Sequence, residues 1–233
     1  MITPPGSETL MEEMHSKSEH VLLAFSCGKD SIAAWLALRE RGFTVHPFYM
    51  YLIPDLAFVD RSLDYYEQWS GQHIMRVPNP SLYRMLVNMV YQPPERCAII
   101  EAAQLPKFSY DQLHEWVKED MGLPAATYVA TGVRAVDSPQ RMMAVRPHGP
   151  VNYKRRTFWP VWDWRIQRVY DTIKSAGVKL PVDYRWFGRS FDGIDYRFIA
   201  TLREKAPADY QRILDWFPLA DLDIKRRQYG SQK

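Results

Sequence analysis

Residues 21–25, VLLAF, are apolar without polar alternation. They run straight into Ser26-Cys27-Gly28-Lys29-Asp30-Ser31, and then into SIAAWLALRERG, whose apolar positions recur at helical spacing. A short continuous apolar run marks a strand buried on both faces, so this stretch predicts strand, tight loop and helix in an α/β fold. A loop at that junction aims backbone N–H groups and the positive end of a helix at one point, where this architecture binds phosphate. Gly28 permits close backbone approach, Ser26 and Ser31 offer hydroxyls, and Lys29 can neutralise phosphoryl charge. Asp30 can cap the helix or hold Mg²⁺, directly or through water. A polar turn that does no more than cap a helix is the competing reading.

The alternation continues with TVHPFYMY as a second strand, where Pro47 argues against a central position, LAFVDRSLDYYEQWSG as a helix and HIMRV as a third strand. Strands alternating with helices in the first 80 residues predict a parallel sheet covered on both faces. PSLYRMLVNMVY, ERCAIIEAAQL and SYDQLHEWVKEDMG then read as helices and ATYVATG as another buried strand. An arginine-bearing loop, GVRAVDSPQR, a hairpin around RPHGPVNYK, and a helix after Asp163, taken as its N-cap, complete the body. Gly42, Gly122 and Gly177 mark helix ends. The last 50 residues predict two helices joined at Ala206-Pro207 and a frayed basic tail. The expected division is a mobile segment at 1–19, an α/β domain at 20–180 and a helical extension at 181–233.

The 233 residues carry 30 basic and 27 acidic side chains, and 46% are apolar, enough for an ordinary core and against intrinsic disorder. The small net charge of +3 hides an uneven distribution. Residues 134–168 hold eight basic residues, among them Arg134, Arg141, Lys154, Arg155 and Arg156, against Asp137 and Asp163, a local excess of +6. Such a run is either a solvated face or an arginine-lined anion site. Cys27 and Cys97 are the two cysteines, too few for a thiolate-held iron–sulfur cluster or a four-thiolate zinc site. The first twenty residues have two prolines, four glutamates and no apolar run, and no stretch approaches the ~20 apolar residues of a membrane span. A cytoplasmic location without a membrane partner is the expectation.

The loop at 26–31 resembles the PP-loop of the adenine nucleotide alpha-hydrolase superfamily, usually Ser-Gly-Gly-x-Asp-Ser. Thr131-Gly132-Val133-Arg134 continuing to Asp137-Ser138-x-x-Arg141 is similar to a segment of the phosphoadenosine phosphosulfate (PAPS) reductase branch. So is Phe158-Trp159-Pro160-Val161-Trp162-Asp163-Trp164. The resemblance implies a Rossmann-like (HUP-type) parallel five-stranded sheet with helices on both faces and a helical C-terminal appendage. It also implies an adenine nucleotide, ATP or PAPS, whose phosphates rest on Ser26, Cys27, Gly28, Lys29, Asp30 and Ser31. Arg134, Ser138 and Arg141 would face those phosphates or a sulfate on them, and Lys154, Arg155 and Arg156 would hold a terminal or 3′-phosphate. Lys29, Asp30, Arg134 and Arg141 are the residues expected to act in catalysis, with Asp30 the Mg²⁺ ligand.

The chain departs from the branch where its reductases carry a C-terminal Glu-Cys-Gly nucleophile, because no cysteine follows Cys97. A self-sufficient thiol reductase is therefore not expected, and Cys27, standing where the loop has its first glycine, reads as a small loop residue or a reactive thiol. Three functions stay open. One is ATP cleavage between the α- and β-phosphates, with adenylation of an unknown acceptor and release of pyrophosphate. Another is transfer of the sulfur group of PAPS or a related sulfonucleotide to an external thiol acceptor, with a thiol donor or partner protein as a candidate partner. The last is a nucleotide- or nucleic-acid-binding module, for which Trp159, Trp162 and Trp164 beside the basic run would be an aromatic platform. The alternation at 158–164 equally fits a strand end packed on both faces.

Overall fold

In the computed structural model, which describes residues 4–230, the first strand is β1 (His20–Ala24), with Val21, Leu22 and Leu23 at most 1% exposed. Three consecutive buried side chains require cover on both faces, and each contributes roughly 1.5–3 kcal/mol by leaving water. Helix α1 (Ser7–Lys17) precedes it, and α2 (Lys29–Glu40), β2 (Thr44–Tyr51), α3 (Ala57–Ser70) and β3 (Met75–Pro78) follow. Then come α4 (Pro80–Val87), α5 (Pro94–Ala102), α6 (Tyr110–Asp120), β4 (Tyr128–Thr131), α7 (Pro139–His148), β5 (Val151–Asn152), β6 (Thr157–Phe158) and α8 (Ile166–Ser175). Helices α9 (Asp183–Phe187), α10 (Tyr196–Lys205), α11 (Pro207–Trp216) and α12 (Leu222–Gly230) close the described chain.

The sheet has six strands in the order β3-β2-β1-β4-β6-β5. β1 runs parallel to β2 and β4, and β4 parallel to β6, while the two-residue β5 pairs antiparallel with β6 and makes the sixth strand beyond the expected five. The architecture is α/β and Rossmann-like. Pro47 lies in an interior strand, contrary to the expectation from its missing donor. Phe25 N–H donates to Phe48 O at 2.8 Å, so Phe48 faces β1 and Pro47, one residue away, turns its ring nitrogen from β1.

Gly42, Gly122 and Gly177 end α2, α6 and α8 as expected, all with positive φ. After α2 the Phe43 N–H reaches back to Leu38 O at 3.1 Å and Gly42 N–H to Arg39 O at 3.0 Å, a closure that needs the left-handed residue. Two expectations change. GVRAVDSPQR is a short 3₁₀ turn, Ala135–Asp137, leading into α7, whose N-cap Ser138 accepts from Arg141 N–H at 3.4 Å. The hairpin turns at residues 153–156 rather than earlier.

The chain divides into two compact units that interleave along the sequence, unlike the contiguous division expected. The first comprises residues 1–50, 66–76 and 111–180, and carries most of the sheet. In it the start of the chain is a helix rather than a mobile arm: Leu10, Met11 and Met14 are buried. Asp163 does not cap α8, whose N-cap is Arg165. Its carboxylate instead accepts the backbone N–H of Ser7 at 3.1 Å and the Ser7 hydroxyl, while Trp162 Nε1 donates to Pro5 O at 3.1 Å. Residues 1–3, within the expected mobile segment, and 231–233, within the expected tail, lie outside the described residues.

The second unit comprises residues 51–65, 77–110 and 181–233. Phe58 packs against Trp186 and Phe191 with ring centroids 5.6 and 5.4 Å apart, and Phe187 and Phe191 both pack on Phe198. Asp209 of α11 accepts the N–H groups of Ala57 (2.6 Å) and Phe58 (3.2 Å) at the start of α3. The C-terminal helices thus share a core with two earlier stretches. Cys97 on α5 is half-buried. No helix among the described residues is long and apolar enough to cross a membrane.

Two imidazoles of the sheet unit make stability pH-dependent. Burial, and then the neighbouring His20 ring 3.0 Å away, pushes His46 down; burial pushes His114 down. The unfolded chain therefore binds protons that the folded chain does not, so stability is lost as pH falls below about 6.5. Thermal melts between about pH 7.5 and 5 should show Tm falling through that window, and His46→Asn should flatten part of the slope. A flat Tm would contradict it.

Candidate functional site

In the order β3-β2-β1-β4 the chain turns back at β1, so the crevice beyond the carboxyl ends of β1 and β4 is the point where connections diverge to opposite sides. Two loops meet there. After β1, residues 26–28 enter α2, whose N-cap is Gly28, with Asp30 in the first turn. Ser31 is the hub of this loop. Its hydroxyl donates to Gly28 O at 2.8 Å, accepts the Ser26 N–H at 3.2 Å and lies 3.1 Å from the Ser26 hydroxyl. Gly28 N–H points at Ser26 Oγ, 3.3 Å away. The expected capping by Asp30 is absent: α2 has no side-chain cap.

Cys27 adopts φ +56° and is buried. That conformation costs a non-glycine residue roughly 1–2 kcal/mol, a strain that glycine at this position would avoid. Cys27→Gly is expected to change stability by less than about 1 kcal/mol, relief of strain offsetting glycine's entropy and the lost side-chain burial. On the expectation that the loop holds nucleotide phosphates, it should also leave nucleotide affinity unchanged. A large loss of affinity, measured by calorimetric titration, would instead give the thiol a role.

The second loop follows β4. Gly132 has no room for a side chain: a Cβ there would lie 2.5 Å from both Cα and N of Ser31 and 2.7 Å from the Asp30 carbonyl carbon. The two loops therefore pack backbone to backbone. Two residues on, Arg134 is 2% exposed with its donors committed inside the protein. Nε donates to Asp30 at 2.7 Å, Nη1 to the Trp164 carbonyl at 3.0 Å, and Nη2 to Asp137. Asp30 in turn holds Lys29 Nζ at 2.9 Å. Ala135 N–H donates to Trp162 O at 2.7 Å, so the Trp162–Trp164 stretch, buried here, braces the arginine from behind.

These contacts sort the expected residues. Ser26, Cys27, Gly28, Lys29, Asp30 and Ser31 come together as one loop. Arg134 joins them as a buried brace, because a guanidinium shared by two carboxylates and a carbonyl is not presented to solvent as a phosphate clamp. Ser138 serves as the α7 cap. Arg141 is exposed in the first turn of α7 and has no ion-pair partner among the described residues.

Lys154, Arg155 and Arg156 lie elsewhere. They form the turn before β6, and Arg156 O accepts from Val129 N–H at 2.8 Å, which sets the turn beside the amino end of β4. About 10 Å of strand separates that level from Gly132. The Arg156 guanidinium reaches further away, to Ala125 O at 3.1 Å, and Arg155 pairs with Asp111 at 3.1 Å. The expectation that these three residues hold a terminal or 3′-phosphate of the nucleotide on the loop is corrected: the sheet register sends them to its opposite end.

Gly132 and Asp137 are site-building residues that stand in the quoted motifs but to which the sequence reading gives no role. Gly132 lies directly after a buried strand, and Asp137, three residues from Arg134, pairs with it across the short turn at Ala135–Asp137.

No protein-family model and no curated protein matches the chain. Solved structures similar to it include an NH3-dependent NAD synthetase from Campylobacter jejuni subsp. jejuni NCTC 11168 in complex with the nitrate ion, at 15% identity over 97% of this chain and 94% of that chain, TM-score 0.40. A predicted subunit of tRNA methyltransferase from Methanocaldococcus jannaschii matches at 16% identity over 83% of this chain and 90% of that chain, TM-score 0.37.

Proposed function

We propose that the chain is an enzyme of the PP-loop type that binds ATP at the crevice between β1 and β4 and cleaves it between the α- and β-phosphates, adenylating an acceptor and releasing pyrophosphate. The observation that carries this is the loop at 26–31, seated at the switch point of the sheet and braced by the Arg134–Asp30–Lys29 chain. The backbone N–H groups at the start of α2, the Ser26 hydroxyl and Lys29 would take the leaving phosphates, and Arg141 would approach from α7. Arg134 acts through Asp30 as a positioning residue.

Mg²⁺ enters this reading with the nucleotide. Both Asp30 oxygens already serve cations, so the carboxylate suits contact with a phosphate-bound Mg²⁺ through water better than direct ligation. The PAPS reductase-like ancestry remains part of the proposal through the motifs at 131–141 and 158–164. A sulfonucleotide substrate is the weaker reading, since the cations expected for a 3′-phosphate belong to another end of the sheet. Incubation with ATP, Mg²⁺ and candidate acceptors should yield AMP and pyrophosphate, and Lys29→Ala should abolish both. ADP with orthophosphate as products, or no turnover with any acceptor, would overturn the reading.

A further inference from the structure

The basic hairpin displaced from the nucleotide loop borders a groove of its own. A concavity of about 530 Å³ runs along the β5 edge of the sheet between α7 and the hairpin, lined among others by Val145, His148, Val151, Tyr153, Arg155 and Trp159. Its volume is that of a site for a nucleotide-sized group. Trp159 follows β6 at one end of the groove, and Tyr153 and Arg155 lie at the other, by the register of β5 on β6. Trp162 and Trp164 are buried, whereas Trp159 is only half-buried and contributes to the wall.

Charge around the groove is one-sided. Lys154 and Arg156 are exposed on the hairpin and Arg146 on the last turn of α7, and none of the three has a carboxylate partner among the described residues. Arg155 is paired with Asp111, but both side chains are about half exposed (62% and 47%), and such a pair is weak enough to exchange for a phosphate. Lys17 sits 4.8 Å from the centre of the Tyr153 ring and is matched by Glu13. The carboxyl end of α7 brings partial negative charge to one wall, which Arg146 offsets.

Arg155 lines this aromatic groove, Lys154 and Arg156 stand exposed on the same hairpin and Arg146 on the facing helix, so the groove suits a polyanion with planar groups. Two residues of edge strand are too little ladder to recruit a peptide strand. We propose that this groove binds single-stranded nucleic acid, one base against Trp159 and the flanking phosphates on Lys154, Arg155 and Arg156. The site is separate from the ATP loop.

Fluorescence anisotropy with a labelled oligonucleotide of about twelve nucleotides, dT or rU, tests it on the full chain. The wild type should bind with affinity that falls as salt rises. Lys154→Ala combined with Arg156→Ala should weaken binding at least about tenfold and lower the salt slope by about 0.7 for each cation removed. Trp159→Phe should preserve part of the binding and Trp159→Ala less, with thermal melts confirming that each variant is folded. Binding should persist in Lys29→Ala, which separates this site from the catalytic proposal. No binding by the wild type, unchanged affinity in the double variant, or equally effective competition by AMP at the same nucleotide concentration would overturn the proposal.

Discussion

Arg134→Met should unfold the protein at a markedly lower urea concentration, with a loss of about 3 kcal/mol and an unchanged m-value. The substitution keeps the bulk of the side chain but leaves Asp30 and Asp137 beside an apolar group and the Trp164 carbonyl without its donor. Removing one partner of a buried ion pair typically costs about 3–5 kcal/mol, and the lower end applies because Asp30 and Asp137 are 22% and 40% exposed. Arg134→Lys should rescue little of it, since an ammonium cannot reach three acceptors with the planar fork of a guanidinium. A phosphate-facing arginine would behave in the opposite way, losing ATP affinity at unchanged stability.

Gly132→Ala should be nearly as damaging. The new methyl group would stand 2.5 Å from two backbone atoms of Ser31, and the first turn of α2 cannot move aside without breaking the Ser31 hydrogen bonds that shape the loop. Overpacking costs about 1–3 kcal/mol where side chains can adjust, and with backbone on both sides the loss should exceed about 3 kcal/mol. The same shift would open the loop, so ATP binding should vanish with it in protein that still folds. A Gly132→Ala variant of wild-type stability and affinity, measured by urea unfolding and calorimetry, would show that the two loops do not pack as described.

The readable parts of this molecule are those whose cause is local. VLLAF followed by Ser26–Ser31 marks strand, loop and helix because apolar continuity and small polar residues act within a few positions. Gly42, Gly122 and Gly177 mark helix ends because the left-handed residue is a property of one position. Helix α7 was hidden by Pro139, Pro147 and Gly149, which look like breakers; the first is the opening residue of the helix, where proline is tolerated. Helix α1 was hidden because its anchor, Asp163, lies 156 residues away.

The site divides along the same line. Charge counting finds Arg134, Arg155 and Arg156 but not Asp30 and Asp111, the distant partners of the first two, and those partners decide the role. Arg134 is withdrawn from solvent by Asp30, which is 104 residues distant in the chain. Lys154–Arg156 are assigned to the far end of the sheet by the pairing of β6 with β4, a register that no local pattern encodes. The +6 segment thus splits into a buried brace at Arg134, an exposed hairpin at Lys154–Arg156, and exposed arginines on α7 and at the start of α8.

That split is tested most directly by calorimetric titration of Mg²⁺-ATP into three proteins: the wild type, Lys29→Ala, and the combined Lys154→Ala, Arg155→Ala and Arg156→Ala variant. ATP affinity should fall at least about tenfold, about 1.4 kcal/mol, in Lys29→Ala and stay at the wild-type value in the hairpin variant. Loss of ATP binding in the hairpin variant with retention in Lys29→Ala would contradict the account.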